Sequence, residues 1–209
     1  MTRRLTLVVA ALLFVGCGPT AEATPVEPDP EQIIGCVGIP ADACRSITDH
    51  LPVVLPAGRG RPATIQVVSS SCGDVPCPPG AVSGRATAEW ADGGAPVLVT
   101  FEGLAANPRF LVIGDARWSG LVQPRSQRVL PGAAVPFTLG HCGLLHVVDF
   151  DGSFWVPLGQ LDPDAPASIN SADGQMQLVG PNRARFATGG RVIATLARFP
   201  GPRHFWLCD

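Results

Sequence analysis

The chain has 209 residues, 46% of them apolar and 15% charged, and carries a net charge of −2; that balance builds a folded body, sized for one substantial domain or two small ones. All 15 basic residues are Arg, scattered without a basic run, which argues against a nucleic-acid partner. There is no Lys and no Tyr, which excludes a P-loop Lys, a Ser-x-x-Lys nucleophile, Schiff-base chemistry and a phenolic catalyst.

Residues 1–16 have the layout of a secretory signal peptide: a basic head, Thr2-Arg3-Arg4, then the apolar run Leu5 to Val15, then Gly16. The run is far shorter than the roughly 20 residues that cross a bilayer. Val15-Gly16-Cys17 resembles the lipobox of bacterial lipoproteins, with Phe14 where Leu is usual. The resemblance implies that Cys17 is acylated and becomes the mature N-terminus, held at the extracytoplasmic face of the cell membrane. Stable attachment takes two or more acyl chains, because one chain binds only marginally. Loss of Arg3 and Arg4 with the leader leaves a net charge of −4, so the membrane is reached through lipid rather than through charge.

Residues 17–32 form the expected tether. Gly18 to Gln32 holds four prolines, four acids and almost no large apolar side chain, so it cannot bury enough surface to fold. Extended as polyproline II, it spans at most roughly 45 Å.

Setting Cys17 aside, six cysteines remain, an even number for an oxidising compartment. Spacing favours Cys36 with Cys44 and Cys72 with Cys77 across short loops. That leaves Cys142 with Cys208, a long loop whose closure is worth about 4 kcal/mol. A zinc site from Cys72, Cys77, His141 and His146 competes weakly, because exported thiols oxidise and no second close Cys pair completes a tetrahedral set. No metal and no cofactor is expected.

The fold class predicted from the pattern is mostly β (α+β), in two units pinned by disulfides. In residues 33–105, Ala41 to Leu51 reads as one helix, following Pro40 and stopped by Pro52. Thr64 to Ser69 has strand character. Arg85 to Trp90 alternates, with Ala86, Ala88 and Trp90 on one face and Arg85, Thr87 and Glu89 on the other. Asp92-Gly93-Gly94 is turn chemistry, and Pro96 to Glu102 returns as the partner strand. The result is a small helix on an antiparallel sheet.

Residues 106–209 read as an antiparallel β unit closed by Cys142 and Cys208. Phe110 to Ile113, Val135 to Leu139 and Leu144 to Phe150 are strand candidates. Gln175 to Val179, Arg183 to Thr188 and Arg191 to Ala197, separated by Gly180-Pro181-Asn182 and Gly189-Gly190, form a three-stranded meander with one wet face. His141-Cys142-Gly143, Asp149-Phe150-Asp151-Gly152-Ser153-Phe154-Trp155 and Leu207-Cys208 resemble a module of uncharacterised exported proteins from high-GC bacteria, over about residues 137–209. The resemblance implies the Cys142–Cys208 disulfide and no activity.

Candidate chemistry concentrates in the same stretch. On a strand, His141, Asp149 and Asp151 share one parity, a plausible ligand set for a divalent metal. Yet Asp149-x-Asp151-Gly152 is only a fragment of a calcium loop. The plainer reading makes the two acids turn formers around Gly152, with His141 hydrogen-bonding near the disulfide. No Gly-x-Ser-x-Gly and no His-Glu-x-x-His occurs, so no catalytic residue is named. Phe154, Trp155, Phe205 and Trp206 read as core beside the Cys142–Cys208 bridge rather than as a stacking platform. Two functions follow. The first is a lipid-anchored envelope protein that binds or scaffolds, with an envelope protein or small molecule as partner. The alternative is an envelope hydrolase, metal-assisted through His141, Asp149 and Asp151.

Overall fold

The structure, a computed structural model, describes residues 31–70, 78–114, 116–162, 165 and 171–207. The leader, Cys17 and nearly all of the tether lie outside the described residues, as do Cys72, Cys77 and Cys208.

The chain enters on β1 (Ile33–Val37), turns at Gly38 and starts α1 (Ala41–His50) directly after Pro40. Ala43, Cys44, Ile47 and Leu51 repeat at helical spacing and are buried. Pro52 cannot extend the helix, which closes in a 3₁₀ turn over Leu51–Val53. A disulfide joins Cys36 to Cys44, as the spacing predicts, and ties β1 to the helix. β2 (Thr64–Ser69) then lies parallel to β1, the geometry expected when a helix crosses over between neighbouring strands.

β3 (Ala81–Glu89) pairs antiparallel with β2 and with β4 (Val97–Leu104), the predicted hairpin. β5 (Asn107–Ile113) follows across a two-residue link, with Leu104 opposite Asn107. The sequence reading groups this strand with the C-terminal unit. Its tight hairpin instead makes it the outer strand of the first sheet.

β6 (Ala134–Leu139) opens the second sheet. The predicted strand over Leu144 to Phe150 is replaced by a 3₁₀ turn at Gly143–Leu145 and a two-residue β7 (Asp149–Phe150). Leu144 and Val148 are both fully buried four positions apart. That is a helical period rather than the period of two a strand requires, and Gly143 at φ 63° allows the tight entry. β8 (Ser153–Pro157) pairs with β7, and β9 (Gly159–Gln160) leaves the second sheet to pair parallel with β1. β10 (Ala172–Gly180), β11 (Arg183–Thr188) and β12 (Arg191–Arg198) form the predicted antiparallel meander.

The strand orders are β5-β4-β3-β2-β1-β9 and β6-β10-β11-β12-β8-β7. The described fold is mostly β with one short α-helix, and the first sheet is mixed because β1 joins it in parallel. One core lies between α1 and the first sheet and another beneath the second sheet. A third cluster joins the two, formed by Ile33, Phe154, Val156, Ala197, Phe199 and Phe205. Gln66 adds a polar stitch by donating from Nε2 to the Pro157 carbonyl, 3.1 Å away. A Cβ on Gly35 would stand 2.6 Å from that same carbonyl, so only glycine lets β1 pass there.

After β12 the chain runs back across the first sheet. Arg203 pairs with Val122, and Trp206 with Trp118, as isolated antiparallel bridges. Main-chain bonds from Ser119 to Phe205 and from Leu207 to Arg117 extend the pairing. This strap covers the sheet face opposite α1.

Candidate functional site

The predicted two-sided alternation of β3 positions the site. Ala86 and Ala88 face the core, while Arg85, Thr87 and Glu89 face the strap. Gln66 and Val68 of β2 and Leu98 of β4 lie on that same second face. Between it and the strap lies a cleft of about 350 Å³, whose other wall includes Trp118, Leu145, His146, His204, Phe205 and Trp206. That is the small end of the size range for small-molecule pockets.

Most polar groups of the cleft are already bound. Arg203 grips Glu89 with two bonds, Nε to Oε2 at 2.9 Å and Nη2 to Oε1 at 2.5 Å. Both residues are buried, at 5% and 5% exposure, and the Arg203 guanidinium lies over the rings of Phe199 and Phe205. His204 has Nδ1 2.9 Å from the Ser119 carbonyl and Nε2 3.1 Å from the Gly93 carbonyl, which pins the strap to the β3–β4 turn. His146 has Nε2 2.9 Å from the Trp206 carbonyl and packs on Phe205. Trp118 and Trp206 meet edge to face at 5.5 Å. Each imidazole is therefore held by main-chain carbonyls, as positioning demands, rather than by a hydroxyl it could activate.

Burial lowers the His146 pKa from the ordinary histidine value; the bond to Trp206 opposes this and the charge of Arg203 reinforces it. The folded chain thus favours neutral His146, whereas the unfolded chain titrates near about 6.5. This contribution to stability is complete above that pH and is lost as pH falls from there through the lowered folded value. Thermal melts between about pH 7 and pH 5.5 are expected to show a smaller acid-side loss for His146→Gln than for the unaltered protein.

The predicted ligand trio takes another course. His141 is exposed in the turn after β6. The Asp149 carboxylate accepts from the Arg125 N–H at 2.6 Å, the Ser126 N–H at 3.2 Å and the Ser126 hydroxyl at 2.6 Å. Asp151, 3% exposed and at φ 53°, accepts from the Val129 N–H at 2.9 Å and from Arg198 at 2.7 Å and Arg128 at 3.3 Å. The two acids clamp residues 125–129 against the β7–β8 turn. Among the described residues, no group of three or more His, Cys, Asp or Glu is placed to hold a metal ion.

Cys142 lines the cleft and is disulfide-bonded; its predicted partner, Cys208, lies outside the described residues. Phe154, Trp155 and Phe205 are core, but Trp206 is half-buried in the cleft wall. Sequence reasoning missed Arg85, Trp118, His146, Arg203 and His204 as one constellation. The available signal was Glu89, an acid at the end of β3 on a face that needed a cationic cover.

No protein-family model matches the chain, and no curated protein or solved structure matches it.

Proposed function

We propose that this chain is a lipid-anchored extracytoplasmic protein that acts by binding, with the cleft between the first sheet and the C-terminal strap as its recognition element. The observation that carries the reading is the state of the cleft's polar groups. Glu89, Arg203, His146 and His204 are fixed by one another or by main-chain carbonyls, and the walls they hold are apolar and aromatic. Preformed apolar walls with a few oriented polar groups are what a small-molecule site requires. The hydrolase alternative has less support, because the Asp149 and Asp151 carboxylates are taken up by protein donors. Acylation of Cys17, followed by the Pro-rich tether, accounts for a body without net positive charge working beside a membrane.

Two measurements test the two halves of the reading. Cys17→Ser is expected to move the protein from the membrane fraction to the soluble extracytoplasmic fraction; retention in the membrane refutes the anchor. Thermal-shift screening of the full chain against a small-molecule library is expected to give saturable stabilisation, about 2.7 kcal/mol at 100 times Kd. Trp206→Ala should abolish it. A hit that survives Trp206→Ala places binding elsewhere.

A further inference from the structure

Building on the binding reading, we infer that the cleft takes a small amphipathic anion, with a carboxylate held at Arg85 and an apolar or aromatic body against Trp206 and Leu98.

The charge inventory of the cleft points there. Among the described residues its lining holds one carboxylate, Glu89, and that group is fully engaged by Arg203. The two imidazoles are bonded to carbonyl oxygens. Among the described lining residues, Arg85 is the remaining arginine. Among the described residues no carboxylate pairs with it, and its guanidinium is exposed, 5.9 Å from the centroid of the Trp206 ring. Arginine presents a planar fork matched to a carboxylate. Among the described residues, one end of the cleft therefore offers a positive fork with no paired carboxylate, with the hydroxyl residue Thr87 two positions along the same strand face. Trp206, Leu98, Val68 and Leu145 offer apolar surface beside it. A cationic ligand would meet Arg85 with like charge and would find Glu89, the one acid among the described lining residues, already neutralised. A volume of about 350 Å³ suits a single ring with a short acidic side chain rather than a polymer.

The test uses the full chain and three probes of one shape: 3-phenylpropionate, its methyl ester and 3-phenylpropylamine. Binding is read by quenching of tryptophan fluorescence. The acid is expected to bind roughly five- to tenfold more tightly than the ester, a modest ratio because Arg85 is solvent-exposed. The amine should bind more weakly than either. Arg85→Gln should bring the acid down to the affinity the ester shows on the unaltered protein, and Arg85→Lys should keep part of the difference. Acid and ester binding equally overturns the anionic class while leaving the binding reading intact, and so does an amine that binds best. Absence of saturable quenching by any of the three up to about 1 mM, the weak end of specific binding, overturns both.

Discussion

Arg203→Leu is expected to destabilise the fold by about 3–5 kcal/mol, because it leaves Glu89 charged and buried with no counter-ion. Glu89→Leu should cost a similar amount by stranding the guanidinium, whose Nη1 already has no acceptor among the described residues. The double variant removes both charges together and is expected to recover most of the loss, since a buried pair is often replaceable by apolar side chains of similar volume. Urea melts of the two single variants and the double give the coupling directly. Additive losses would show that the pair is not the strap's fastening. The pair lies between β3 and the strap, 114 positions apart in sequence, so its loss should also open the cleft and free Trp206 to solvent. Fluorescence of the singles should redden even where they remain folded.

Asp151→Ala is the second large effect. The carboxylate joins Arg198, Arg128 and the Val129 N–H, and its backbone is left-handed at φ 53°, a region Asp tolerates better than Ala. Arg128 is itself 74% exposed, so the cost of a fully buried pair is an upper bound here and about 2–3 kcal/mol is expected. Burial raises the Asp151 pKa, but the bond from Arg198, the Val129 N–H and the charges of Arg198 and Arg128 outweigh it and hold the group below the usual carboxylate value. The stabilisation is therefore complete above about pH 3.9, the unfolded value, and is lost as pH falls through the lower folded value. Asp151→Asn should keep the turn, lose part of the stability near neutrality and flatten this acid limb. An unchanged limb in denaturant melts from about pH 5 to pH 2 would refute the assignment.

Much of the architecture was legible because its signals are local. The helix over Ala41–His50 carries its own start and stop in Pro40 and Pro52, and the meander from β10 to β12 carries its own turns and alternation. The Cys36–Cys44 bridge followed from spacing. What stayed hidden depends on distant partners. β1 is a five-residue apolar run with no periodicity to distinguish strand from helix, and its neighbours are β2, across the helix, and β9, which begins only at Gly159. Leu144 to Phe150 looks like a strand by composition, but Gly143 and the burial of Leu144 and Val148 turn it into a coil around the core. The cleft shows the same limit most plainly. Arg85, Thr87 and Glu89 read correctly as the polar face of a strand, but a polar face looks alike whether it meets water or the far end of the chain. Only Glu89, too deep for an unpaired acid, hinted at Arg203.

β1 also decides how the body responds to a pull. It is the first strand of the described residues, so under the proposed lipid anchoring, tension from the N-terminus would enter at Ile33. There β1 has β2 on one side and β9 on the other, both parallel to it, and is crosslinked to α1 through Cys36 and Cys44. Gln32 is further clipped to the Pro62 carbonyl and to Arg61. A strand drawn out along its own axis from between two parallel neighbours must break its ladder bonds together, in shear, rather than one after another as a hairpin unzips. Any load such an anchor delivered would thus be shared at once between both neighbouring strands of the first sheet and the helix, and the cleft on the far face of that sheet could keep its shape under tension.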